Sequence, residues 1–366
     1  MVDLRVGLIG VNANRGWAAE AHVPAIRAVP GLELTAVATR KQASADAAAA
    51  AFGVPKAYGD PDALIDDPEV DVVAVASSVA THHRLISRAV RAGKHVLTEW
   101  PLAVGTGAMA ALADQARTAG VHTALGLQAR RNPAVLGAQA VIAQGEIGRL
   151  LVARVFSSTM AFGAAVDDET LPLEDPAAGM HLLTIQAAHT LDLLAVIAGT
   201  PVQLAATTTI RFPELRRADG DGVRRVLPDH VLAQGTLPDG GAFTAEIEGG
   251  RDAGDTPFRL ELEGSDGTVR LEGGAPRGFQ SGTLELTVDG ATIPVETGML
   301  PASVVNVAGV YRALRDDVRD GTVTAPSFAD GVRLAHLLDD VRRSAVTGST
   351  VTPTAPWPKG SDLVTP

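Results

Sequence analysis

The chain of 366 residues has no cysteine, which excludes a disulfide framework, a thiolate nucleophile and a cysteine-ligated zinc site. Lysine is almost as scarce, occurring only as Lys41, Lys56, Lys94 and Lys359. Aromatic residues make up 4% of the chain, and no apolar run approaches the roughly 20 residues a membrane span needs. Positive charge is also short: a net charge of −11 and a pI near 5.3 argue against nucleic acid as a partner, because phosphate contacts need clustered Lys and Arg. A local basic site for a phosphorylated small molecule stays open. The opening "MVDLRVGLIG" passes straight into a strand-like run with no basic region, long apolar segment or cleavage site, so a cytoplasmic chain without a membrane anchor is expected. There is no HExxH or comparable ligand set, and no metal site is expected. Neither a repeat at solenoid period nor a low-complexity linker occurs.

What is present is 46% hydrophobic residues, rich in Ala, Val, Leu and Gly, over a length that suits two domains. From Leu4 to about Leu127, short apolar runs alternate with Ala-rich helical stretches, the pattern of βαβ units on a parallel sheet. "RVGLIGV", "LELTAVATR", "VDVVAVASS", "HVLTEW" and "VHTALGLQ" read as strands, and "SADAAAAAFG" and "THHRLISRAVRAGK" as helices stopping near Gly. After a helix in "NPAVLGAQAVIAQGEIG" the texture changes near Arg149 to strands joined by PDGG, SDG and VDG turns, which predict hairpins in a large, mostly antiparallel sheet. Helices are predicted in "GMHLLTIQAAHTLDLLAVIAG", "SVVNVAGVYRALRDDVRDG" and "FADGVRLAHLLDDVRRSAVTG". The reading is α/β throughout: a doubly wound Rossmann domain over 1–127, an α/β domain on the antiparallel sheet over 128–351, and an irregular Pro-rich tail over 352–366.

The first strand runs into "GLIGVNANRGW", a glycine-containing turn that opens a helix and can turn backbone N–H groups toward a pyrophosphate. Gly10 is in place, Asn12 stands at the second glycine position, where Asn tolerates left-handed geometry, and Gly16 arrives one residue late. A glycine-rich βα turn without a cofactor is the plainer alternative. At the end of the second strand, Thr39-Arg40-Lys41 offers a hydroxyl and two cations where NAD enzymes offer an acid, which favours NADP with NAD as the lesser option. A solvated basic helix start is the competing reading.

With "GVNANRGW", "THHRLISRAVRAGKHVLTEWPLA", "LGLQARRNPA", "GEIGRLLVARV" and "AHTLDLL" in order, the chain resembles the Gfo/Idh/MocA family of NAD(P)-dependent oxidoreductases over nearly its whole length. Within the family it is similar to the branch containing the fungal galactose-regulon repressor, through the GxNxxxGW loop, the Glu-Trp strand end and "PDHVLAQGTL". The resemblance implies a Rossmann domain followed by an α/β domain whose open sheet often forms an oligomer face, hence a homo-oligomer. It implies cofactor contacts from Gly10, Asn12, Arg15, Gly16, Trp17, Thr39, Arg40, Lys41, Ser77, Ser78, His82, Glu99, Trp100, Pro101 and Gln128. Trp100, Arg131, His181 and His189 become candidates to touch a small-molecule substrate.

One departure matters most. Family members usually carry Glu-Lys-Pro where this chain has Glu99-Trp100-Pro101, and an indole N–H only donates, so Trp100 cannot be the base that accepts the substrate's proton. None of the four lysines is placed to substitute. His189 matches the family's acid/base histidine and has a suitable ordinary pKa, although the acid usually found four residues earlier is Ile185 here; a helix-packing or ligand-binding histidine is the alternative. Asp192 follows His189 at helical spacing. His181 lies roughly 80° away around an ideal helix and shares a site only if the helix start is irregular. Helix capping is the plain reading for Thr81 and the two serines, an interdomain salt bridge for Arg130 or Arg131, and a turn with an edge contact for Asp229-His230. Three functions compete: an NADP-preferring oxidoreductase on a sugar or related small polar alcohol or carbonyl compound with His189 as proton shuttle, a dinucleotide-binding regulator without turnover, and a non-redox net reaction that uses the bound nicotinamide transiently.

Overall fold

The computed structural model describes residues 3–168, 170–217, 220, 222–296 and 298–355, and the chain divides into two compact units. The first comprises 1–128 with 299–332, the second 129–298 with 333–366. Of the expected irregular tail, 352–355 lack regular structure; 356–366, with Lys359, lie outside the described residues.

In the first unit, strands β1 (Leu4–Ile9), β2 (Leu32–Ala38), β3 (Lys56–Tyr58), β4 (Val72–Val75), β5 (His95–Thr98) and β6 (Thr123–Leu125) form a parallel sheet in the order β3-β2-β1-β4-β5-β6. The crossovers are helices α1 (Val23–Ala28), α2 (Gln42–Phe52), α3 (Pro61–Asp66), α4 (Val79–Arg91) and α5 (Thr106–Ala119). This is the doubly wound order, with the connection reversing direction between β1 and β4. Burial follows composition: β4, "VVAV", is buried at every position, as a strand covered on both faces must be. β3 and α3 had no clear signature in the sequence, being three and six residues long. Late in the chain, α8 (Ala302–Asp320) joins this unit, and its Val304, Val307, Val310 and Leu314 enter one core with Val6, Leu8 and Ile26. Helix α9 (Phe328–Thr347) begins in the first unit, and its residues from Arg333 count in the second.

The second unit opens with α6 (Pro133–Ala143), capped by the Asn132 side chain, which accepts from Ala134 N–H. Strands β7 (Leu150–Ser158), β9 (Gln203–Thr209), β12 (His230–Thr236), β13 (Ala242–Glu248), β14 (Pro257–Gly264), β15 (Thr268–Gly274), β16 (Thr283–Val288) and β17 (Ala291–Ile293) form an eight-stranded sheet. Its order is β17-β16-β15-β14-β7-β13-β12-β9, antiparallel except for the pair β7 and β13. The PDGG, SDG and VDG segments join β12 to β13, β14 to β15 and β16 to β17, as expected of hairpins. Short strands β8 (Ala165–Val166), β10 (Glu214–Arg217) and β11 (Gly222–Arg224) make a separate small sheet. Helix α7 (Gln186–Ala198) packs on β7 and β13. It begins seven residues later than "GMHLL" suggested, so His181 precedes the helix in an irregular segment.

Candidate functional site

In a parallel sheet of this order, ligands bind beyond the carboxyl ends of the strands beside the switch point. The chain places its cofactor candidates there: the Gly10–Trp17 turn follows β1, Thr39 to Lys41 follow β2, Ser77 and Ser78 follow β4, Glu99 to Pro101 follow β5, and Gln128 lies beyond β6. The topology, not chain proximity, brings these five short segments to one edge.

Gly10 has φ +98°, and a Cβ there would stand 2.7 Å from the Ala76 carbonyl oxygen, so only glycine permits the close approach of the turn to the end of β4. Gly16 also takes a left-handed angle, φ +91°. Asn12 does not, contrary to the reason given for it in the sequence; instead its Oδ1 accepts from Asn14 N–H at 2.9 Å and folds the loop back on itself. From Ala18 to His22 the helix starts as a π turn, a widening often found at functional sites. Trp17 Nε1 and Gln128 Oε1 are buried without a hydrogen-bond partner, the state of polar atoms that a bound ligand would satisfy. Arg15 is exposed in the same turn.

After β2, Thr39 Oγ1 donates to the Lys41 carbonyl at 2.9 Å and contacts Ser44 Oγ, a local brace for the start of α2. Arg40 and Lys41 are exposed, and among the described residues no ion pair joins either to an acid. Lys56 is held by Asp67 at 2.8 Å and by Glu69, and Lys94 donates to the carbonyls of Asp67 and Val70 at the amino end of β5. Neither can reach the place left by the family's lysine. Trp100 itself is 6% exposed, and its ring edge would lie 3.6 Å from a Cβ at Gly331.

His82 is buried, with Nδ1 2.8 Å from the Pro101 carbonyl and Nε2 3.0 Å from the Ser77 carbonyl. It ties the end of β4 to the end of β5, and burial lowers its pKa from the ordinary value. Ser78 is the N-cap residue of α4 but its side chain makes no cap bond; Ser77 Oγ and Thr81 Oγ1 pair at 2.8 Å instead. The residue that sequence reading missed is His22, wholly buried, with Nε2 2.7 Å from Glu99 Oε1 and Nδ1 2.8 Å from the Tyr311 hydroxyl. A lone histidine in "AAEAHVPAI" carries no motif, and its phenol partner is 289 positions away.

In the second unit His189 is 6% exposed on α7. Arg130 grips the Asp192 carboxylate, one turn on from it, through two bonds of 2.8 and 2.5 Å. Both partners of this pair belong to the second unit. Arg131 lies beside it, half-buried. His181 is buried with no partner on Nδ1, and burial, then the charge of Arg342, lowers its pKa from 6.5 to about 4. Asp229 is likewise not at an edge. It is fully buried, accepts from Arg225 at 2.9 Å and from the backbone N–H groups of Arg211 and Phe212, and β12 is an interior strand. Among the described residues no cluster could hold a metal ion, and no helix is long and apolar enough to cross a membrane.

Residues 4–127 match the family model described as oxidoreductase family, NAD-binding Rossmann fold, and residues 133–273 match the Gal80p C-terminal domain. The chain belongs to this Gfo/Idh/MocA oxidoreductase family, on the side of it near Gal80p. It is 32% identical over 225 residues to a dehydrogenase of Aspergillus oryzae, an alignment spanning 60% of this chain and 61% of that protein. To the levoglucosan dehydrogenase of Pseudarthrobacter phenanthrenivorans it is 25% identical over 96% of this chain and 98% of that one. A levoglucosan dehydrogenase structure with NADH and L-sorbose superposes at a TM-score of 0.82 and 23% identity, covering 97% and 100% of the two chains. The super-repressor mutant of Gal80p from Saccharomyces cerevisiae superposes at 0.86 and 23% identity, covering 96% and 98%. At these identities the superpositions speak for the fold.

Proposed function

We propose that the chain is an NADP-preferring oxidoreductase acting on a sugar or a related small polar alcohol or carbonyl compound, with His189 as its acid/base. The observation that carries the reading is the carboxyl edge of the parallel sheet, where the Gly10 turn, the exposed Arg40 and Lys41, and Glu99 follow β1, β2 and β5. The buried, unsatisfied Trp17 Nε1 and Gln128 Oε1 fit a dinucleotide held there. Levoglucosan dehydrogenase, alike over nearly the full chain, supports the carbohydrate class.

When bound, the nicotinamide supplies the hydride donor or acceptor. The chain's part is to bind and to manage one proton. Arg40 and Lys41 would meet a 2′-phosphate with charge-assisted hydrogen bonds. The turn that Gly10 opens, with Asn12, Gly16 and the residues leading into the π turn, would hold the pyrophosphate, with Arg15 nearby. Glu99, Pro101, Ser77 and His82 frame the nicotinamide end. His189 takes the hydroxyl proton on oxidation or returns it on reduction, with His181 and Arg131 contacting substrate. Trp100 supplies shape and no proton.

The second reading, a dinucleotide-binding regulator without turnover, is favoured by Trp100 at the family's lysine position and by the match to the Gal80p C-terminal domain. A panel of sugars and polyols with each cofactor, followed at the absorbance of reduced nicotinamide, separates the two. The enzyme reading expects turnover with NADP exceeding that with NAD, and about a hundredfold loss of kcat in His189→Ala with cofactor affinity retained. Arg40→Ala with Lys41→Ala should weaken NADPH about tenfold or more and leave NADH unchanged. Tight cofactor binding with no turnover on any substrate would move the chain to the regulator class.

A further inference from the structure

We propose that His22 and Tyr311 are positioning residues for Glu99, forming with it a buried relay that fixes the orientation in which its carboxylate meets a bound dinucleotide. This rests on the cofactor reading above.

The three groups come from three elements of one unit: His22 from the π turn ahead of α1, Tyr311 from α8, and Glu99 from the end of β5. His22 has no exposed surface, and Tyr311 retains 1%. The rings meet edge to face, with centroids 5.7 Å apart. Burial, then the nearby charge of Glu99, drives the Tyr311 phenol well above its ordinary pKa, so the hydroxyl keeps its proton. The hydroxyl lies 2.8 Å from His22 Nδ1, to which it can donate. With the phenol as that donor, the ring's own proton belongs on Nε2, 2.7 Å from Glu99 Oε1, which accepts it. In this tautomer each group has its partner, which a buried imidazole requires.

The consequence falls on Glu99. Its side chain is 20% exposed, so the carboxylate is gripped from the buried side at one oxygen and presents the rest of the group outward. The other oxygen lies over Gly126, where a Cβ would stand 2.7 Å from it. Glycine at that position and the imidazole behind it leave one seat for the carboxylate. An N–H or hydroxyl donor of the ligand therefore meets an acceptor already oriented, with no side-chain freedom left to lose. The π turn that begins after Gly16 sets the register of His22, so the turn that faces a pyrophosphate and the acid at the end of β5 are one linked device.

A merely structural strut and a positioning relay differ in what rescues them. Dissociation constants for NADPH and NADH are measured by titration calorimetry on the full chain and on Tyr311→Phe, His22→Gln and His22→Leu, with thermal midpoints alongside. His22→Gln keeps an N–H donor near the place of Nε2, and Tyr311→Phe deletes one hydroxyl from the far end. The relay expects His22→Leu to weaken both cofactors about tenfold or more, His22→Gln to recover most of that loss, and Tyr311→Phe to fall between, whatever the midpoints do. Folded Tyr311→Phe and His22→Leu with wild-type affinity, or weakening that tracks the thermal midpoint without rescue by Gln, overturns the relay alone. A wild-type chain that binds neither cofactor overturns the cofactor reading and the relay with it.

Discussion

His181 illustrates how a single side chain ties the stability of this protein to pH. Folded, its pKa is lowered from 6.5 to about 4 by burial and by Arg342, so between those values the unfolded chain takes up a proton that the folded chain refuses. Stability from this group is complete above about pH 6.5 and is lost progressively as pH falls toward 4. His82, lowered by burial, adds a slope of the same sign, so the informative quantity is the difference between chains. Thermal midpoints across this range should fall less steeply in His181→Asn than in the wild type; parallel curves would remove His181 as a source. Residue identity in the sequence announced Trp100 as a departure from its family, but not what surrounds it. Asn12 shows the same gap: its type suited a left-handed turn, while the folded loop uses its side chain as an acceptor.

At the scale of elements, the small sheet and the loop before α7 are held by buried charge. Arg225 is 3% exposed and donates twice to Glu174, once to Asp229, and to the carbonyls of Phe162 and Gly163. Asp229 in turn accepts from Arg211 and from two backbone N–H groups. Phe162 sits at φ +63°, an uncommon angle for a bulky residue, and its carbonyl is one of those Arg225 holds. Removing one partner leaves desolvated donors behind, so Asp229→Ala should cost about 3 kcal/mol or more, read as a lowered midpoint in urea. A change below about 0.5 kcal/mol would show that the network is not what holds the loop. The sequence offered only "RRVLPDHV" for this, which reads as a turn because Arg211 and Glu174, which complete the network around Arg225 and Asp229, come from other segments. The late start of α7 was hidden for a related reason: "GMHLLTIQ" is apolar enough to read as helix, and its irregular path depends on what it packs against.

Over the whole molecule, the two sheets differ in how they meet solvent. In the parallel sheet the central β4, "VVAV", is buried at every position, as a strand covered on both faces is; β14, "PFRLELEG", alternates buried and exposed positions, as a strand covered on one face does. The uncovered face of the large sheet carries a cross-strand ladder in which Arg154 meets Glu261 and Glu263, and Arg270 meets Glu261. Beside them Leu232 is 42% exposed, and a hollow of about 600 Å³ is lined by Arg154, Phe156, Leu232 and Gln234. We expect copies of the chain to assemble through this face into a homo-oligomer. Light scattering on the purified protein should return a multiple of 37.6 kDa; a mass of 37.6 kDa at micromolar concentration would reject it.

Sequence alone determined the class of each half, because the period of apolar residues is a local property that a strand or helix imposes on its own neighbours. It also determined which short segments end the parallel strands, since the turn after each strand is adjacent to it in the chain. Tertiary structure alone decided which distant residues share a bond: the parallel pairing of β7 with β13, the entry of α8 into the first core, and the meeting of His22 with Glu99 and Tyr311. Such contacts leave no local pattern, because a buried donor needs only some acceptor within reach, and the fold, not the neighbouring residues, chooses which one.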